Sequence, residues 1–133
     1  MNRSLRDANL TVSKALPAAS ANNASDSIDL GASAPGVTVE NVDLVIEVPA
    51  TPSLVDTKNH TLKVQDSADN ASFADVAEIA TVTRTGTGGA GAAATTRRVK
   101  LPPSIRRYVR LYQAVEASGG DNTAVSAKMS LNF

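Results

Sequence analysis

Six cations, Arg97, Arg98, Lys100, Arg106, Arg107 and Arg110, fall between positions 97 and 110 with no acid among them, and Tyr108 and Tyr112 close the stretch. Two chemistries use such a set. Arginines interleaved with tyrosines on one face can neutralise phosphates and stack bases, as in single-strand binders. The same residue types are enriched where protein interfaces exclude water, because each buries a large area and keeps directional hydrogen bonds. Overall charge separates the two: 13 cations against 13 acids give a net charge of zero, whereas a nucleic-acid binder usually carries a basic excess over the whole domain. Protein docking is the better reading, with a merely solvated strand face as the plain alternative.

The charges are nevertheless unevenly spread. Residues 15–83 hold ten acids and two cations, Lys58 and Lys63, while the remainder holds eleven cations and three acids, so the two parts carry −8 and +8. Segregation with cancellation suits docking between complementary surfaces.

Catalytic sets are hard to assemble. His60 is the single histidine and there is no cysteine, so the His/Cys patterns of zinc sites have nothing to build on. No G-x-S-x-G or related nucleophile signature occurs. His60 therefore reads as a strand-entry residue at the surface. The acids are scattered over strands and turns, and a glycosidase-type carboxylate pair would also need a sugar cleft, which 3% aromatics do little to furnish. "GTGGAGAAATT", residues 86–96, lacks the Gly-Lys-Ser/Thr ending of a phosphate loop and reads as a long flexible connection. "DSADN", residues 66–70, misses the spacing of a calcium loop and reads as an Asx-rich turn. No catalytic residue, metal site or cofactor is expected, and the chain reads as no enzyme.

These residues need a scaffold, and the scaffold signal is period-two alternation. Val42, Leu44, Ile46 and Val48 share one face against Asp43, Val45 and Glu47; Val125, Ala127, Met129, Leu131 and Phe133 alternate with Ser126, Lys128, Ser130 and Asn132. Leu62 and Val64, Ile28 and Leu30, and Leu10 and Val12 repeat the pattern. Such strands are wet on one face. Eight are expected, near 8–16, 26–31, 42–48, 60–66, 76–84, 95–101, 106–117 and 123–133, separated by clusters such as "PAASANNAS" at 17–25. The pattern is that of an antiparallel sandwich or barrel. Residues 104–112 also fit a helix with Ser104 as cap, but the Gly-Gly turn and clean strand that follow favour a strand with Tyr108, Arg110 and Tyr112 outward. "ASGGDNT", 117–123, is expected to join the last two strands as a hairpin.

At 133 residues the chain should form a single domain, 1–133, with 1–8 as an N-terminal arm. Without Trp the core must come from Val, Leu, Ile and Ala, so support from oligomerisation or a larger body is expected. "MNRSLRDANL" lacks the apolar core of a signal peptide, and no apolar run approaches the roughly 20 residues of a membrane span. The absence of cysteine fits assembly in a reducing compartment.

"SIDLGA" (27–32), "HTLKVQDSADNASFADVAEI" (60–79) and "RRYVRLYQAVEASGGDNTAVSAKMSLNF" (106–133) resemble the strand phrases of small structural proteins of tailed bacteriophages. The chain is similar to capsid cement, or decoration, proteins of the Bbp16-like type. That resemblance implies an all-β, jelly-roll-like β-sandwich that sits as a homotrimer on the outer surface of the phage capsid, at threefold and local threefold seams of the major capsid protein. It implies assembly in the bacterial host cytoplasm, and neither nucleic acid, membrane nor small-molecule substrate as partner. Arg3, Arg6, Arg97, Arg98, Arg106, Arg107, Tyr108, Arg110 and Tyr112 are the expected interface residues. The rival reading is a carbohydrate- or receptor-binding module of a phage tail or fibre, with Tyr108 and Tyr112 as its platform.

Overall fold

Alternation along the chain becomes ten strands in the computed structural model, which describes residues 11–30, 42–102 and 104–132. They are β1 Thr11–Ala15, β2 Asn22–Ala24, β3 Ile28–Asp29, β4 Asp43–Val48, β5 Asn59–Ser67, β6 Ala74–Asp75, β7 Val82–Thr85, β8 Thr95–Lys100, β9 Tyr108–Val115 and β10 Ser126–Asn132. All pairings between them are antiparallel. The first sheet runs β1-β10-β4-β8; in the second, β2 and β3 both pair with β9, β9 pairs with β5, and β6 and β7 share the far edge of β5.

The pairs are nested: β1 with β10, β2 and β3 with β9, β4 with β8, β5 with β7. That is a long hairpin rolled so that successive pairs fall in alternate sheets, which is the jelly roll. If β2 and β3 are one interrupted strand, and β6 and β7 another, the expected count of about eight is recovered.

The core lies between the sheets and is aliphatic: Leu44 and Ile46 from β4, Leu62 and Val64 from β5, Val109 and Leu111 from β9, and Met129 and Leu131 from β10 are all buried. Each such side chain contributes roughly 1.5–3 kcal/mol on leaving water. No described aromatic is among them: Phe73, Tyr108 and Tyr112 are only half-buried. β9 shows why, since Val109, Leu111, Gln113 and Val115 face in while Tyr108, Arg110, Tyr112 and Ala114 face out.

Four expectations are corrected. The hairpin between the last two strands does not form, because β9 lies in the second sheet and β10 in the first. Both edges of β9 are already taken, by β2 and β3 on one side and β5 on the other, so residues 116–125 cross between sheets instead. The strand expected over 76–84 begins only at Val82; Val76 and Ile79 are buried from a turn closed by the Ile79 amide on the Val76 carbonyl, 3.2 Å. The cluster at 17–25 contains a strand, β2.

Finally, the glycine-rich segment is pinned rather than flexible. Thr51 and Ala92 exchange backbone hydrogen bonds of 2.8 and 3.0 Å, and the Gly89 amide donates to Asp56 Oδ1 at 2.9 Å. Gly91, at φ +71°, lies so close that a Cβ there would fall 1.9 Å from the Thr51 carbonyl oxygen, which only glycine tolerates.

Candidate functional site

The outward residues of β9 meet those of β5 in register: Tyr112 lies opposite Lys63, Arg110 opposite Gln65 and Tyr108 opposite Ser67. Cross-strand neighbours on one face are close enough to interact, and here they form a relay. Arg110 Nε donates to Gln65 Oε1 at 2.9 Å, and Gln65 Nε2 donates to Asp75 Oδ1 at 2.9 Å. Asp75 also takes Lys63 Nζ at 3.2 Å, and these two donors hold its carboxyl below the usual carboxylate range. The Arg110 guanidinium carbon lies over the Phe73 ring, 4.0 Å from its centroid, a cation–π contact that helps to hold the side chain in place. All three described aromatics therefore gather on the outer side of the second sheet.

Most other cations of the basic stretch are spent within the molecule. Arg106 donates through Nε and Nη2 to Asp66 Oδ1 at 2.9 and 2.7 Å, and through its backbone amide to Oδ2 at 3.0 Å. Arg107 forks onto Asp29, Nε to Oδ1 at 2.8 Å and Nη2 to Oδ2 at 2.9 Å, and lies 5.0 Å from the Tyr108 ring centroid. Both guanidiniums are held more firmly protonated by these carboxylates. Lys100 and Arg98 share Asp43, each at 3.1 Å, and depress its pKa.

Asp29, Asp43 and Asp66 belong to the acidic segment and their partners to the basic one. A charge separation that looked suited to docking between molecules is thus partly closed inside one. Arg97, on β8 opposite Ile46, has no acid partner among the described residues and lies in the other sheet from Arg110. Arg3 and Arg6 lie outside the described residues.

A second constellation was misjudged from the sequence. His60 is fully buried, not a surface residue. On β5 it shares the inward side with Leu62 and Val64, so extending the alternation two residues back would have found it. Gln113 of β9 and Arg84 of β7 occupy inward positions by the same parity.

Arg84 Nη1 can only donate, so His60 Nδ1, 3.2 Å away, must accept; the ring proton then sits on Nε2 and donates to Gln113 Oε1 at 2.8 Å. Gln113 Nε2 donates on to the Lys14 and Ala15 carbonyls at 3.1 and 3.0 Å. Arg84 also reaches Thr51 Oγ1, the Pro49 carbonyl and the Ala93 carbonyl, each at 2.9 Å.

Three polar side chains of the second sheet thereby clasp β1 and the segments flanking β4 and β8 in the first. Burial lowers the His60 pKa to about 4, an effect opposed by the Gln113 bond and reinforced by the Arg84 charge. Burial also lowers the pKa of Arg84. A neutral imidazole with both nitrogens engaged is a structural element here.

"DSADN" is the Asx turn expected. Asp69 Oδ1 accepts from the Ser72 and Ala71 amides at 3.0 and 2.9 Å and from Ser67 Oγ at 2.8 Å, which pushes its pKa down to about 2.

Two comparisons bear on this arrangement. Residues 10–129 match the model of the Bbp16 family. No curated protein matches the chain.

Proposed function

We propose that this chain, which belongs to the Bbp16 family, is a capsid cement protein of a tailed bacteriophage. In this reading it binds the outside of the icosahedral head as a homotrimer, at threefold and local threefold seams of the major capsid protein. The observation that carries the reading is the placement of the aromatics: Phe73, Tyr108 and Tyr112 stand on the outer side of one sheet while the core is aliphatic. A chain with so few aromatics leaves its largest apolar side chains half-exposed on a sheet face, where they can serve contacts with another protein.

The mechanism follows from linkage. A protein that binds the assembled shell and not dispersed subunits stabilises the shell by its binding free energy. Many copies on one particle multiply modest contacts through effective concentration. A ring of three closes through two different patches on each copy.

Cryo-electron microscopy of the particle that carries this protein tests the reading. Density for a two-sheet body in many copies at seams between hexamers and pentamers is the expected result; localisation to the tail or fibre alone would sink it. The glycan-binding alternative gains less from the geometry. Tyr108 and Tyr112 are four residues apart on one strand, roughly 13 Å at strand rise, with Arg110 between them, so they do not make one continuous platform.

A further inference from the structure

We infer that the outer face of the second sheet is the docking surface and that Arg110 is its anchor, receiving one carboxylate from the capsid protein. This rests on the cement reading and adds to it a face, an anchor and a partner group. Arg110 lies on β9, the strand between β5 and the β2/β3 edge, so it stands near the middle of the face, where binding energy concentrates in interfaces.

Its side chain is already immobilised. The guanidinium carbon lies over the Phe73 ring, 4.0 Å from its centroid, and Nε is tied to Gln65 at 2.9 Å. Nη1 and Nη2 have no hydrogen-bond partner among the described residues. A guanidinium fixed at Nε presents its remaining donors as a rigid fork that matches a carboxylate. Little side-chain freedom is left to lose on docking.

Charge complementarity selects the partner. Lys63 is matched by Asp75, Arg107 by Asp29 and Arg106 by Asp66, so among the described residues Arg110 remains as a positive charge without an acid partner in an otherwise paired neighbourhood. A nucleic acid needs a track of free cations along its backbone, and those pairings dismantle the track that the sequence suggested. One oriented guanidinium between two tyrosines fits a single Asp or Glu side chain on a protein surface.

The test titrates heads purified without this protein with the full-length wild type and with Arg110→Gln, Arg110→Lys and Lys128→Gln, reading bound copies by densitometry. Lys128 is exposed on the other sheet and serves as control. Arg110→Gln should weaken binding on the order of 30-fold, as for an interface hot spot. Arg110→Lys should weaken it by roughly 10-fold, because charge without a fork does not restore the geometry. Lys128→Gln should bind as wild type does.

Wild-type binding with Arg110→Gln equally tight overturns this inference and leaves the cement reading standing. Failure of the wild type to bind heads overturns the cement reading and the inference with it. Light scattering of the free proteins supplies the last arm: if Arg110→Gln dissociates the oligomer while head binding per copy is unchanged, the carboxylate belongs to a second copy, and the assignment to the capsid falls.

Discussion

Arg84 and Arg110 sit on β7 and β9, strands on opposite edges of β5, and neither has a carboxylate partner among the described residues. Arg84 faces inward and its Nη groups are consumed by Thr51, His60, Pro49 and Ala93. Arg110 faces outward, and its Nη groups have no hydrogen-bond partner among the described residues. The difference is one of parity on neighbouring strands: the same side chain is a strut on one side of the sheet and an open fork on the other. A cation lacking an acid is thus not in itself a sign of binding; what matters is whether its terminal donors are occupied and whether its plane is fixed.

Breaking the inward member should have the largest effect. Arg84→Met removes the donors to His60 Nδ1 and to Thr51 Oγ1, both of them buried, and orphaned buried groups cost about 1–3 kcal/mol each. Urea denaturation should show a loss on the order of 3 kcal/mol. A loss below about 1 kcal/mol would mean that the clasp contributes little.

The second effect is in pH. His60 titrates at about 4 in the folded chain against 6.5 ordinarily, so the unfolded chain takes up the proton first as pH falls. Stability is full above about pH 6.5, drains through the interval and has lost about 3 kcal/mol by pH 4. Asp43, Asp69, Asp75 and Asp121 are all lowered from 3.8 and lose their contributions only below that value. The urea midpoint of His60→Gln should therefore stay nearly flat between pH 7 and 4.5 while that of the wild type falls.

The smallest effect sharpens the contrast from the outward side. Phe73→Leu removes the stacking under Arg110, and Arg110→Gln removes the guanidinium; each should change unfolding free energy by about 1 kcal/mol or less, the range of an exposed cation–π contact. If Arg110→Gln were as damaging as Arg84→Met, Arg110 would be a second strut.

How much of this was legible follows the range of the interactions. The alternation of Val42, Leu44, Ile46 and Val48, and of Ala127, Met129 and Leu131, is written in adjacent residues and gave the inward faces; the opposite faces are not wet throughout as expected, because Val45 and Ser130, paired across β4 and β10, are buried there as well. The outward side of β9 was legible for the same reason. β2 and β6 are two or three residues of Asn, Ala and Asp, too short and polar to leave a periodic trace.

Sheet membership could not be read from the turn at 117–123, because competition for the edges of β9 involves strands far away in the chain. Asp29 and Arg107 are 78 positions apart and Asp43 and Arg98 are 55. Composition sees them as opposite halves, and only the rolled topology makes them neighbours. His60 was within reach of the alternation, but polarity argued for the surface, and nothing local reveals that Arg84 and Gln113 will complete its hydrogen bonds.

β10 lies between β1 and β4, at the centre of its sheet. On the ribosome, β1 and β4 emerge before β10 and wait with open edges until it has been made, since the strand that joins them follows the other nine in sequence. The first sheet must therefore close after the other nine strands have been synthesised, through contacts of high sequence separation that fold slowly and leave strand edges exposed meanwhile. Nascent chains stalled before β10 should be the aggregation-prone species of this protein, and a chaperone that shields strand edges should raise its yield more than one that protects the finished body.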